Sequence, residues 1–475
     1  MFTSELWNGK KASRHAVNQS IRFNDPDDPA LSKTFSGAGT EETWTFSCWI
    51  KLGVETSNSR RMIFSAGSAG SNYGGAEIGS AGDNSLEFYN YYGGSYDWRL
   101  VTTQQFRDAS AWYHLVFVSD TTNAIESDRA RIYVNGVRVT NFSGTPSYPA
   151  RNYANNFWMG TTEHDIGTSV FTTQNFDGYM AEIVNLDGTA TDASSFGEFS
   201  TDGIWIPKDV SGLTFGTNGF HVDGRDASDL GDDESGNGND FTTNGLAAHD
   251  QVSDSPTNNF CVMNPNDADG LASADELTGG NLQVKNVNRI RSSLPFPTSG
   301  KWYWEICTVS KGGQPNWNYG MVYFKNQAEP LLTNNDFIRL NWYHGSNFSS
   351  SSNWTDGDFW TNSNNPSAGS VYGFAWDAGT RKVYLAKDGT FFGSADPANG
   401  TGTAWGSGGN AGVEYGIAMY STQSHIHTIN FGQDDTFNNA KTSGSATAAD
   451  VNGNGKFYYA PPTGFLALCT KNLGS

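Results

Sequence analysis

Three groups of residues in this chain have the types and spacing to carry chemistry. The first is the run GDDESGNGNDFTTNG, residues 231–245, whose carboxylates, carboxamides and glycines are the materials of a calcium loop. With Asp233 at loop position 1, Ser235 falls at 3, Asn237 at 5 and Gly238 at the sharp turn at 6. Position 12, where a bidentate Glu completes the coordination shell, is Asn244. DVNGNG repeats the pattern: Asp450, Asn452, Asn454 and Gly455 fit, but position 12 is Pro461. Neither loop is complete. A dinucleotide fingerprint also fails at GNGNDF, because Phe241 stands where the third Gly belongs and no βαβ pattern surrounds it. The run therefore reads as a Gly/Asn-rich turn at a joint between domains, and no cofactor is expected.

The second group is histidines and carboxylates. His425 and His427 in SHIHT are two residues apart, so on a strand both rings project from one face and could chelate a transition metal. The sequence supplies no third ligand, and the pair reads instead as two solvent-facing or hydrogen-bonded histidines. No metal site is expected. Glycoside hydrolysis needs two carboxylates flanking the scissile bond. In EIVNLD, Glu182 and Asp187 are five residues apart and fall on opposite faces of an ideal strand, and Glu305 in KWYWEIC stands alone. Gly-x-Ser-x-Gly and His-Glu-x-x-His are absent from the sequence. The expectation is a chain that is not an enzyme.

The third group is aromatic. YNYYGGSYDW gathers Tyr89, Tyr91, Tyr92, Tyr96 and Trp98 around Gly93-Gly94. NWYHGSNFSSSSNWTDGDFW holds Trp342, Tyr343, Trp354 and Trp360. Rings with a polar edge stack on sugars and anchor interfaces. Tyr91, Tyr92, Tyr96, Trp98, Trp342, Tyr343 and Trp354 are accordingly the candidate ligand-binding residues, against the plainer reading that any one of them fills a core.

The elements that must position these groups read as strands. Short aromatic and β-branched runs alternate with Gly, Asn and Asp clusters, and no long segment shows a 3.6-residue apolar period. TWTFSCWIKL places Trp44, Phe46, Cys48 and Ile50 on one face. AWYHLVFVSD and GYMAEIVNLDG are further strands, and Asn135-Gly136 in RIYVNGVRV predicts a type I′ hairpin. In the second half, SGKWYWEICTVS sets Trp302, Trp304 and Ile306 against Tyr303, Glu305 and Cys307. SVYGFAWDAGTRKVYLAKDGTFF reads as three strands and two turns, and HIHTINFGQ as one more. The predicted fold is all-β: two antiparallel jelly-roll sandwiches in tandem. Residues 1–17 form an N-terminal attachment segment, 18–225 the first sandwich, 226–265 the junction, and 266–475 the second sandwich with the C-terminal cap KFYYAPPTGFLAL.

A net charge of −20 repels phosphate backbones and anionic lipid, so nucleic acid and membrane surfaces are poor partners. No run of about 18 apolar residues predicts a membrane-spanning helix, and the first 20 residues lack the apolar stretch of a secretory signal. The four cysteines are far apart with no metal-type spacing, which fits folding in a reducing cytoplasm.

TWTFSCWIKLG, WYHLVFVSDTT, SDRARIYVNGVRV and GYMAEIVNLDG resemble a laminin-G-like, concanavalin A-type jelly roll. GKWYWEI, GSVYGFAWDAGTRKVYLAKDGT and HTINFGQ resemble a SPRY domain, itself a concanavalin-like sandwich. DESGNGNDFTTNGLAAHDQVSDSPTNNFCVMNP and the ending NGNGKFYYAPPTGFLALCTKNL are similar to segments of bacteriophage virion proteins, in which such a junction sits between these two modules. The resemblance runs from about Asn18 onward. It implies a tail-fibre, head-fibre or other virion-surface component, folded in the host cytoplasm and assembled with other virion proteins and with itself, as a homotrimer. Host-surface glycan or protein is the implied ligand, with capsid decoration the alternative role. One departure from a long fibre is plain: only some 17 residues precede the first sandwich, too few for an extended shaft.

Overall fold

The computed structural model describes residues 15–54, 60–79, 82–154, 158–171, 174–268, 276–285, 290–310, 321–326, 337–341, 349–350, 367–402, 404, 415–420, 425–443 and 448–474. The chain divides into two compact units, Met1–Thr257 and Asn258–Ser475. Nearly all regular structure is strand; Thr470–Leu473 is the one α-helix among the described residues.

In the first unit the strands are β1 (Ser20–Phe23), β2 (Ala30–Thr34), β3 (Thr43–Leu52), β4 (Arg61–Ala69), β5 (Asn72–Ile78), β6 (Ser85–Tyr92), β7 (Ser95–Gln105), β8 (Trp112–Asp120) and β9 (Ala130–Val134). They continue as β10 (Val137–Arg138), β11 (Glu163–Ile166), β12 (Gly178–Asp187), β13 (Gly197–Phe199), β14 (Trp205–Pro207), β15 (Phe220–Val222), β16 (Thr242–Asn244) and β17 (Gln251–Val252). One antiparallel sheet runs β10-β9-β8-β3-β12-β1-β17 with β15 also on β12, and the other runs β16-β2-β11-β4-β5-β6-β7. Between them lies an aromatic core. Trp44, Phe46, Cys48 and Ile50 of β3 all enter it, as their alternation predicts, and Phe46 packs on Phe64 of the facing sheet at 4.4 Å. Each such side chain contributes ~1.5–3 kcal/mol by leaving water. Asn135 and Gly136 take φ of 47° and 80°, the left-handed pair that a type I′ hairpin needs.

The stretch expected to be a junction proves to be part of this sandwich as far as Thr257. β16 pairs with β2, and β17 pairs with β1. Arg22 of β1 donates to Asp250 at 3.3 Å, and Lys51 of β3 meets Asp254 at 2.7 Å with both side chains fully buried. A buried charge without its partner costs several kcal/mol, so the first sandwich requires these residues. The composition of a turn within a domain and of a link between domains is the same.

In the second unit, one sheet orders Met263–Ala268, Ile290–Ser292, Tyr415–Tyr420, Met321–Asn326, Phe337–Asn341 and Ser349–Ser350. The other orders Leu277–Thr278, Gln283–Lys285, Ile426–Asn430, Lys301–Ser310, Val371–Asp377, Lys382–Lys387 and Thr390–Phe391, with Leu466–Ala467 parallel beside Lys301–Ser310. Trp376 packs edge-on against Tyr415 of the facing sheet at 5.7 Å, and Trp304 stacks on Phe374 at 5.1 Å. The C-terminal segment covers the other face: the Glu305 carboxylate accepts the backbone N–H groups of Tyr458 and Tyr459, each at 2.8 Å. All four cysteines are buried free thiols.

Candidate functional site

The outer face of the seven-stranded sheet carries a cluster of tyrosines on β5, β6 and β7. Tyr73 lies opposite Tyr91 in register, and their rings are 5.3 Å apart. Tyr96 meets Tyr89 edge-on at 5.6 Å and Tyr91 at 5.1 Å. Tyr96 is exposed at 38%, whereas Tyr89 is buried beneath it; Tyr92, the residue after Tyr91 on β6, is 50% exposed and falls on the opposite side of the strand. The Tyr91 hydroxyl donates to the Gly94 carbonyl at 2.8 Å, which braces the Gly93-Gly94 turn. Arg99 stacks over Tyr96 at 4.4 Å and at the same time holds Glu87 through two bonds of 2.6 and 2.8 Å.

Trp98 does not belong to this surface. It is 2% exposed and sits in the core against Phe88 at 4.7 Å. The cause is a one-residue bulge: Asn90 pairs with Trp98 but Tyr91 pairs with Tyr96, leaving Asp97 as the extra residue. Without it Tyr96 and Trp98 would share a face; with it the tyrosine turns outward and the tryptophan inward. Asp97 then accepts from the Tyr153 hydroxyl at 2.6 Å and from Asn90 at 3.2 Å. Trp342, Tyr343 and Trp354 lie outside the described residues.

Beneath the tyrosines is a carboxylate pair that the sequence reading missed. Glu77 and Glu87 are directly opposite on β5 and β6, and both are fully buried. Glu77 is held by Arg60 through Nε at 2.8 Å and through Nη2, while Glu87 is held by Arg99. The available signal was faint: each is the one acid in its strand.

A second cluster forms on the eight-stranded sheet, around Glu182. β12 changes register between Ala181 and Val184, and Glu182 there adopts φ 49°, a left-handed conformation costly for a residue with a side chain. The bulge turns Glu182 away from the core that Met180 and Ile183 enter. Its Oε2 faces Nε2 of His221 at 3.3 Å and Nε2 of His15 at 3.5 Å. Burial alone would raise the Glu182 pKa, but the two imidazoles outweigh it and pull it to about 2, and Glu182 in turn raises that of His15. Asp223 is close to Glu182 and His221 and is gripped by Arg225 through Nε at 2.8 Å and Nη2 at 2.6 Å. Asp187, the other acid of EIVNLD, is spent elsewhere on the backbone N–H groups of Thr40 at 2.6 Å and Asn218 at 2.9 Å.

The two incomplete calcium patterns are turns knotted by their first Asp. Asp233 accepts from His221 N, Ser235 N, Ser235 Oγ and Asn239 N, all within 2.7–2.9 Å. Asp450 accepts from Asn452 N, Asn454 N and Ala467 N at 2.9 Å and from Asn472 Nδ2 at 2.6 Å. His425 and His427 are both buried, their rings near-parallel at 6.4 Å, so the solvent-facing alternative is replaced by an interior one.

Residues 23–194 match a protein family described as the concanavalin A-like lectin/glucanases superfamily. The chain is all-β and concanavalin A-like in fold. No curated protein matches its sequence. Among solved structures it is similar to domains LG4-5 of the mouse laminin α1 chain, with 10% identity, 88% of this chain and 90% of that one covered, and a TM-score of 0.28. The SPRY domain of human HERC1 shares 15% identity over 35% of this chain and 96% of that one, with a TM-score of 0.26. Tailspike protein 2 of the Escherichia coli O157:H7 bacteriophage CAB120 shares 12% over 39% of this chain and only 28% of that one, with a TM-score of 0.25. Among the described residues, no helix is long and apolar enough to cross a membrane.

Proposed function

We propose that this chain is a non-enzymatic component of a bacteriophage particle surface, built from a laminin-G-like and a SPRY-like sandwich, that contacts host-surface glycan through the tyrosine face of its first unit. The observation that carries the binding role is the outward-facing ring of Tyr96, 38% exposed on a sheet and braced by Arg99 and by Tyr89 and Tyr91. Aromatic faces fixed in this way stack on sugar rings at little entropic cost. A hydrolase would need its acid and nucleophile to touch the scissile bond, whereas Glu77 and Glu87 are fully buried and each is paired with an arginine. The phage assignment rests on the resemblance of the segments around 233–265 and 452–473. The virion surface, a homotrimeric assembly and contacts with other virion proteins belong to the same proposal.

A glycan array probed with the purified full-length chain, beside Tyr91→Ala and Tyr96→Ala, tests it. A bound glycan lost by about 30-fold or more in both variants, as expected of ~2 kcal/mol anchors, supports the reading. Binding untouched by both removes the tyrosine face from it. Immunogold labelling of particles propagated from the encoding genome tests location. Gold at fibres or tail supports host contact, gold over the head favours the decoration role, and unlabelled particles overturn the virion assignment.

A further inference from the structure

We propose that His15, Glu182 and His221 together bind a divalent transition metal ion of the zinc class, which clips the segment before β1 to the outer face of the eight-stranded sheet. Nε2 of both histidines and Oε2 of Glu182 are buried without a hydrogen-bond partner, and Glu182 and His221 are only 7% and 6% exposed. Polar atoms so placed are costly unless something binds them.

The two contacts to Glu182 are longer than a closed charge-assisted hydrogen bond. A charge-assisted N–H to carboxylate bond closes to about 2.7–2.9 Å. The two contacts to Glu182 are 3.3 and 3.5 Å. A tetrahedral zinc with bonds of about 2.0–2.1 Å sets neighbouring donors about 3.3–3.4 Å apart. Each histidine nitrogen thus stands at coordination-shell spacing from the Glu182 oxygen, and the ligand atoms of Glu182, His221 and Asp223 all lie within 4.8 Å of one another. Two imidazoles and one carboxylate also suit zinc or its transition-metal neighbours, and not calcium or magnesium, which prefer oxygen alone.

Each ligand is held in place by its surroundings. Glu182 is aimed outward by the bulge at the cost of a positive φ, a strain that functional sites tend to retain. Phe215 lies parallel to the His221 ring, 7° apart in plane, and the His221 backbone N–H is tied to Asp233. Asp223 completes the electrostatics: its oxygens are engaged by Arg225, so it adds negative charge beside the site while a water takes the fourth position. Two residues beyond His15, the Val17 carbonyl accepts from Ser255 Oγ at 2.6 Å and Thr257 Oγ1 at 2.5 Å. The ion would add a second fastening to a segment already laid against the sheet, at the root of the expected attachment arm.

The full-length chain, stripped with EDTA and titrated with ZnCl2 by calorimetry, is expected to take up one equivalent. His15→Ala removes a half-exposed ligand from a terminal segment and leaves the sandwich core untouched, so it should fold as the parent does by circular dichroism. Its zinc affinity should fall by more than about 100-fold, since loss of even an outer-shell partner costs 10–100-fold. Co2+ in place of zinc should give the visible bands of a tetrahedral ion, absent in folded Glu182→Gln. Failure to bind zinc, or binding of equal strength in His15→Ala and Glu182→Gln, overturns the proposal and leaves an ion-paired triad.

Discussion

Glu305 offers a sharp quantitative test because its carboxylate is both fully buried and richly hydrogen-bonded. Two opposing effects meet there. Burial disfavours the charged form, while the N–H groups of Tyr458 and Tyr459 at 2.8 Å, the Tyr303 hydroxyl at 3.2 Å and Asn430 at 3.3 Å favour it. Burial prevails, and the pKa is pushed from the ordinary 4.5 up to about 7. Below pH 4.5 the group is protonated in folded and unfolded chains alike, and stability is at its fullest. Between that value and about 7 the folded chain keeps a proton that the unfolded chain has released, so stability falls as pH rises. At ~1.36 kcal/mol per pKa unit the loss approaches about 3 kcal/mol. Glu305→Gln keeps the shape and stays neutral at every pH. Its amide will oppose one backbone donor, costing about 1–3 kcal/mol, but that cost is the same at all pH. Urea unfolding followed by tryptophan fluorescence at several pH values between 4.5 and 8 should show the variant gaining on the parent as pH rises, by about 3 kcal/mol in all. A difference that stays flat, or one that moves in favour of the parent, would refute the ranking of burial over hydrogen bonding.

The other expectations are structural and separable. Trp98→Ala should lower stability by about 3–5 kcal/mol through the cavity it leaves beside Phe88, whereas Tyr92→Ala, at a half-exposed ring, should change it by less than about 1 kcal/mol; equal thermal midpoints for the two would contradict the buried and exposed assignments. A fragment ending at residue 225 removes Asp250 and Asp254 and strands Arg22 and Lys51. It should be insoluble or unfolded by circular dichroism where one ending at Thr257 folds, and a well-folded shorter fragment would restore the sequence-based boundary. Asp450→Ala exposes four donors at once and should cost roughly 3–5 kcal/mol, and added calcium should leave the parent's melting temperature unchanged. A calcium-dependent rise would reopen the metal reading of that turn.

Much of the architecture was legible because period-2 alternation and turn chemistry are local. TWTFSCWIKL matches β3 residue for residue, and its four inward residues are those the pattern named. The Asn-Gly hairpin, the Trp/Tyr alternation around Glu305 and the turn at Asp388-Gly389 stand for the same reason. What alternation does not see is a single inserted residue, because a bulge is defined by the partner strand's register and not by its own sequence. Asp97 and Glu182 are such places. One divides Tyr96 from Trp98, and the other brings an acid out to meet histidines 167 and 39 residues away in the chain. Both candidate sites of the first unit therefore depend on bulges, which is where the sequence was least able to place them.

The Asp-led turns show why composition misleads about metals. A calcium loop and the turns at Asp233 and Asp450 draw on the same residues, since both need a short acceptor side chain and glycines that tolerate positive φ. The difference lies in what the carboxylate faces. In a calcium loop its oxygens converge on the ion together with backbone carbonyls. Here each carboxylate oxygen already receives two N–H or O–H donors, from the turn itself or from a second segment that includes His221 in one unit and Ala467 in the other. A carboxylate satisfied in this way has no lone pair directed at a cation and can neutralise nothing further without breaking the turn. The Glu182 oxygen is the converse case: it meets two imidazole nitrogens with no hydrogen bond between them. Unsatisfied donor atoms, and not the density of acidic residues, mark the place where an ion has something to gain.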